Sequence, residues 1–161
     1  MRGSYSLSPF LFISTVEKIV CLKMKYKVIY SLPTVEKYRF LRETCGLFPK
    51  SEKAATIALK NSLCSVIVLD TENDNEIIGM GRLVGDGGCH CQVVDICVLP
   101  KHQKRGLGKL IMTKLNDFIE RELPSSCYIN LIADGDAYDL YAQYGFEPVW
   151  PKSRGMGKVK K

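Results

Sequence analysis

The stretch Gln103-Lys104-Arg105-Gly106-Leu107-Gly108 is the segment of this sequence best suited to chemistry. Two glycines one residue apart let the backbone turn tightly, and the periodic apolar residues that follow predict a helix whose unpaired first N–H groups point back into the turn. The helix dipole adds partial positive charge, and Lys101, Lys104, Arg105 and Lys109 add whole charges, so a pyrophosphate is the natural guest. A plain strand-to-helix turn also uses glycine. This loop lacks both the Gly-Lys-Ser/Thr of a P-loop and the full dinucleotide fingerprint, which argues against ATP and NAD.

A second constellation, Cys89-His90-Cys91, invites a metal reading. Structural zinc sites draw four ligands from paired, separated clusters, and the chain has only 2 histidines, so ordinary strand cysteines are expected and no metal. A Cys91 nucleophile aided by His90 fails as well, because neighbouring strand residues point to opposite faces.

These residues need elements to position them. Lys25 to Tyr30 alternates as a first strand; Val35, Tyr38, Leu41, Arg42 and Cys45 fall at helical spacing; and Ser51 stands as N-cap of a second helix through Leu59. Leu63 to Leu69, Glu76 to Val84 and Cys89 to Leu99 read as three antiparallel strands joined by polar or glycine-rich turns. Leu107, Leu110, Ile111, Leu115, Phe118 and Ile119 mark one face of a long helix that stops before Pro124. Cys127 to Ala133 is another strand, Ala137 to Tyr144 a short helix, and Gly145-Phe146-Glu147-Pro148 opens a final strand. The expected order is β-α-α-β-β-β-α-β-α-β, an α/β fold with a mixed, mostly antiparallel sheet flanked by helices.

The run Val94-Asp95-Ile96-Cys97-Val98-Leu99-Pro100, then Gln103-x-x-Gly106-x-Gly108 and an amphipathic helix, resembles the acetyl-CoA-binding motif of the GNAT N-acetyltransferase superfamily. Downstream, Ala137-x-x-Leu140-Tyr141-x-x-x-Gly145-Phe146 is similar to the late helix of that superfamily. The layout matches over residues 26 to 150 and the specific motifs over 93 to 147. The resemblance implies that the amides from Gln103 through Lys104, Arg105, Gly106, Leu107 and Gly108 to Lys109 bind the pyrophosphate of coenzyme A. It further implies that the strand through Cys97 and Val98 accepts pantetheine on its edge, with an N–H near Val98 polarising the thioester carbonyl. Tyr141 matches the tyrosine that protonates the leaving thiolate, and Asp134 stands where many relatives place an asparagine that contacts pantetheine. Asp95, the carboxylate nearest the loop, is either the base that deprotonates the amine or a satisfied polar residue at a strand bend. The histidine positions of the arylalkylamine members match Gln92 and Val94, so that base does not carry over; a water relay or capture of neutral amine is the alternative.

Length and composition fit one domain. The chain has 161 residues, 46% apolar and 25% charged, with Gly and Pro not in excess, which excludes disordered, collagen-like and polytopic membrane classes. Seven cysteines without framework spacing suit a reducing, cytoplasmic setting. The apolar stretch from Leu7 to Val16 is too short to span a membrane and has no clear cleavage site. Residues 1–23 are therefore expected to be an ill-ordered extension, or a weak organellar address, ahead of a single domain over 24–161 with Met24 as a second start. The net charge of +6 is explained by a cofactor's phosphates, not by nucleic acid, since no stacking motif or basic recognition helix accompanies it. The expected activity is acetyl transfer from acetyl-CoA to a primary amine, with a small molecule preferred over protein or peptide amines as acceptor. A non-catalytic acyl-CoA-binding module stands as the alternative, and a homodimer is left open.

Overall fold

The computed structural model describes residues 25–160, so the N-terminal extension over residues 1–23 and the second start at Met24 lie outside the described residues. The described chain runs β1 (Tyr26–Tyr30), α1 (Val35–Thr44), α2 (Glu52–Lys60), β2 (Cys64–Asp70), β3 (Glu76–Gly85), β4 (His90–Val98), α3 (Leu107–Glu122), β5 (Tyr128–Asn130) and α4 (Tyr138–Ala142). Short 3-10 turns over Pro100–His102 and Gly135–Ala137 precede α3 and α4. Polar side chains start the first two helices: Thr34 Oγ1 accepts from the Lys37 N–H at 3.1 Å and Ser51 Oγ from the Ala54 N–H at 3.2 Å, each satisfying an otherwise orphaned donor.

The sheet order is β1-β2-β3-β4-β5, antiparallel except for the β4–β5 pair. Strand β2 is buried along nearly its whole length, so both faces of the sheet are covered, as its unbroken apolar sequence requires. On one face α3 lays Leu107, Ile111, Met112, Leu115 and Ile119 across the sheet. Burial of such side chains contributes about 1.5–3 kcal/mol each. An added Cβ at Gly81 would meet Ile111 at 2.5 Å and Ile96 at 2.6 Å, so α3 approaches β3 closely only because position 81 has no side chain. Alternation turns the next residue, Arg82, to the other face, where α1 and α2 lie.

Between Met80↔Cys97 and Arg82↔Val94, two β4 residues, Asp95 and Ile96, oppose the single Gly81. This is a β-bulge, and Asp95 adopts the left-handed conformation with φ 61°. The bulge bends β4 away from β5. Consequently β5 pairs only along His90–Gln92 and is three residues long, shorter than the expected Cys127 to Ala133.

The final strand expected from Gly145 is absent among the described residues. Pro148 and Pro151 remove two N–H donors within four residues, and Val149 and Trp150 are exposed. The late helix is likewise shorter than its pattern, ending at Ala142.

Candidate active site

The site grows from the bulge. Because the Leu99 N–H donates to the Ile78 carbonyl on β3 at 2.8 Å, alternation turns the main-chain groups of Val98 and Ile96 the other way, into the split between β4 and β5. Gln103 Nε2 donates to the Val98 carbonyl at 2.9 Å, tying the start of the glycine loop to the strand edge. Within that loop Lys104 has φ 58° and Gly106 φ 77°, and the helical N–H groups of α3 begin at Leu107. Such left-handed residues before a helix gather N–H groups into an anion-binding concavity.

A cavity of about 650 Å³ runs here, walled by Ile96, Cys97 and Val98 on the strand and by Gln103, Lys104, Gly106, Leu107 and Gly108 on the loop, a volume in the range of small-molecule sites. Position 106 has open space around it, and at Gly108 an added Cβ would only touch Leu140 at 3.4 Å. The loop backbone is thus uncovered toward the groove, and its donor set fits a pyrophosphate.

The side chains of Lys101, Arg105 and Lys109 are not part of the groove wall. The Arg105 guanidinium donates to the Tyr26 hydroxyl at 2.7 Å and to the Lys101 carbonyl at 3.2 Å, so its side chain faces β1. Lys101 approaches Glu76 at 3.7 Å.

A smaller cavity of about 300 Å³ shares Ile96 and Ala137 with the groove. Arg42, Leu47, Val94, Asp95, Asp134 and Tyr141 contribute to its wall. Asp134, expected beside pantetheine, therefore stands with Tyr141 on this side of the split. Tyr141 is buried and packs edge-on against Phe146, with ring centroids 6.4 Å apart. Burial, and secondarily the Asp134 charge, raise its pKa above the ordinary phenol value, so it is a protonated donor at neutral pH.

Asp95 sits at the hub of a buried ionic network. Its Oδ1 accepts from Arg42 Nη1, and its Oδ2 accepts from Arg82 Nε at 2.7 Å and from the Tyr38 hydroxyl at 3.0 Å. Arg42 also donates to the Phe48 carbonyl at 2.7 Å and Arg82 to the Ala58 carbonyl at 2.8 Å, which knits α1, α2 and the loop between them to β3 and β4. Burial, then the Asp95 charge, pushes the Tyr38 phenol up. With both oxygens engaged by fixed donors, the carboxylate matches the satisfied polar residue at a strand bend. Sequence reasoning placed Arg42 only by its helical spacing and missed Arg82, although a lone arginine inside the apolar run Ile77 to Val84 signals a buried charge that needs a partner.

Cys45, at the end of α1, meets Cys97 on the groove wall. The hydrogen bond between their thiols lowers the Cys45 pKa; that bond and burial raise the Cys97 pKa. No group of His, Cys, Asp and Glu among the described residues is arranged to hold a metal ion, and no helix among them is long and apolar enough to cross a membrane.

Residues 62–148, just over half of the chain, match the family model of the acetyltransferase (GNAT) domain. The chain is 41% identical to a Staphylococcus aureus protein of unknown function described as a probable acetyltransferase; the two superpose with a TM-score of 0.78 over 84% of this chain and 99% of that one. It is 28% identical to the uncharacterized N-acetyltransferase ycf52 of Pyropia yezoensis, over 78% of this chain and 74% of that protein. A chloroplastic GCN5-related N-acetyltransferase of Arabidopsis thaliana is 32% identical over 54% of this chain and 33% of its own length.

Proposed function

The chain belongs to the GNAT acetyltransferase family, and from that premise we propose that it moves an acetyl group from acetyl-CoA to a primary amine of a small molecule by direct attack in a ternary complex. The observation that carries this reading is the split beside Val98, where the groove and the smaller cavity join at Ile96 and Ala137. One cavity suits an extended cofactor arm and the other an acceptor.

In this reading the N–H groups from Lys104 to Gly108, with the Lys104 charge, hold the pyrophosphate. The exposed edge of β4 receives the pantetheine amides as it would a further strand, and the Cys97 side chain contributes packing. The Val98 N–H donates to the thioester oxygen as negative charge develops there. The acceptor nitrogen forms its bond to the acetyl carbon as the carbon–sulfur bond breaks, and Tyr141 gives its phenolic proton to the departing sulfur. Asp134, on the acceptor side, draws a cationic amine toward the split. With Asp95 committed to Arg42 and Arg82, the amine enters neutral or loses its proton to water through the smaller cavity.

A volume of about 300 Å³, lined by Leu47, Val94 and Ile132 beside Asp134, supports a small amine on an apolar arm. Mixing the protein and acetyl-CoA with amines, amino acids, aminosugars and peptides, and following thiol release and product mass, tests this. Acetylation of a small amine supports it. Acetylation confined to peptides would move the acceptor class to protein amines, and coenzyme A binding without any turnover would leave a non-catalytic module. The chloroplastic relative supports an organellar address as the alternative to the cytoplasm; a reporter fused to residues 1–23 distinguishes them.

A further inference from the structure

His102 is buried on the turn between β4 and the glycine loop, at 6% exposure, and lies outside the motif residues. Its Nδ1 lies 3.1 Å from the hydroxyl of Tyr26 on the edge strand β1. The same hydroxyl accepts from Arg105 Nη1 at 2.7 Å, and Arg105 Nη2 donates to the Lys101 carbonyl at 3.2 Å. Arg105 is flanked by two left-handed residues, Lys104 at φ 58° and Gly106 at φ 77°. That backbone needs outside support, because left-handed geometry at a non-glycine residue costs about 1–2 kcal/mol.

We propose that Tyr26 and His102 are positioning residues that act through Arg105, a latch behind the loop that holds its backbone in the shape that grips the cofactor's pyrophosphate. The inference rests on the cofactor reading of the loop given above.

A guanidinium only donates, so the Tyr26 oxygen accepts from Arg105 and its own proton goes to His102 Nδ1. His102 is then neutral, with its proton on Nε2. That nitrogen is buried without a hydrogen-bond partner, 4.0 Å from Asp70 Oδ2. The groups facing the ring are Tyr26 from β1, Asp70 from β2, Glu76 from β3, and Lys101 and Arg105 from its own segment. Burial lowers the pKa of His102; Asp70 opposes this, Lys101 and Arg105 add to it, and Glu76 opposes it weakly. Protonation would turn Nδ1 into a donor facing a hydroxyl that already accepts from Arg105, so two cations would meet at one oxygen. The grip is complete above the ordinary histidine pKa and is lost as pH falls through the lowered value.

Calorimetric titration of the full chain with coenzyme A, and with 3′-dephospho-coenzyme A at about pH 7.5 and about pH 5.5, tests the latch; the second probe lacks the phosphate monoester, which itself ionises near pH 6. Tyr26→Phe keeps the ring in the core and removes only the hydroxyl, and its Kd for coenzyme A should rise about tenfold at the higher pH. Wild type should lose affinity for dephospho-coenzyme A at the lower pH, by less than the roughly tenfold that an unshifted histidine would give. His102→Gln offers Tyr26 an amide oxygen that does not titrate, and should bind about equally at both pH values. A histidine that merely filled space would leave the wild-type pH dependence in that variant. Should His102→Gln fail to fold, loss of the acid sensitivity in Tyr26→Phe decides the same point. Wild-type binding that Tyr26→Phe leaves within about twofold, or a His102→Gln variant as acid-sensitive as wild type, overturns the latch alone. Absence of coenzyme A binding by wild type overturns the cofactor reading, and the latch with it.

Discussion

Replacing Asp95 by Asn separates the two roles its position allows. The substitution keeps the side-chain shape and suits the left-handed backbone at φ 61°, since Asn tolerates that region as well as Asp does. What it removes is the counter-charge of two guanidiniums whose side chains are 8% and 5% exposed. Breaking a buried ion pair in this way costs about 3–5 kcal/mol. The Asn oxygen can still accept from Arg82 or Tyr38, which favours the lower end of that range. At about 2–4 °C per kcal/mol for a chain of this size, the melting temperature should fall by about 6–20 °C. Urea unfolding followed by circular dichroism gives the free energy, and acetyl transfer measured well below both melting points gives the rate. If Asp95 were the base, Asp95→Asn would instead lose about 10²–10⁴ in turnover with little change in stability. Turnover lost on that scale, with the melting temperature within about 2 °C of wild type, would refute the structural role. Tyr38→Phe is the companion, removing one hydrogen bond to the same carboxylate for about 1–3 kcal/mol.

The parts legible in the sequence are those written in local patterns. Ser51 lies at the start of its helix, the apolar stripe from Leu107 to Ile119 faces the sheet, and the three hairpin-joined strands pair in the expected order. The glycine loop also lies before its helix. What the pattern could not give is geometry set by partners far away in the chain. The bulge at Asp95 and Ile96 leaves the apolar run of β4 unchanged, yet it opens the split and shortens β5. Arg105 and Lys101 count as positive charges near a phosphate loop in one dimension, while contacts with Tyr26 and Glu76, both remote in sequence, turn them away. The sequence leaves two roles open for Asp95 because its partners, Arg42 and Arg82, come from elements that no motif links. The last strand expected from Gly145 does not form among the described residues, because Pro148 and Pro151 lack the N–H groups that a strand needs.

Three further outcomes are expected. Gly81→Ala places a methyl against Ile111 and Ile96 and should destabilise the fold by about 1–3 kcal/mol in urea unfolding; an unchanged midpoint would mean that α3 can shift without cost. Gly106→Ala meets open space, so its penalty is conformational, about 1–2 kcal/mol at φ 77°, and should appear as about tenfold weaker coenzyme A binding by calorimetry. Tyr141→Phe keeps the buried ring against Phe146 and removes the proton donor; kcat should fall about 10²-fold while the Kd for coenzyme A stays within about twofold. The pH profile gives the sign: Tyr141 donates only while protonated, and burial with the Asp134 charge raises its pKa above 10.0, so this group holds wild-type kcat through neutral pH and loses it only as pH rises through that raised value. In Tyr141→Phe that alkaline fall should vanish from the residual rate. A variant that kept full kcat, or one that kept the same alkaline fall, would assign the proton to another donor and leave Tyr141 as a wall of the acceptor cavity.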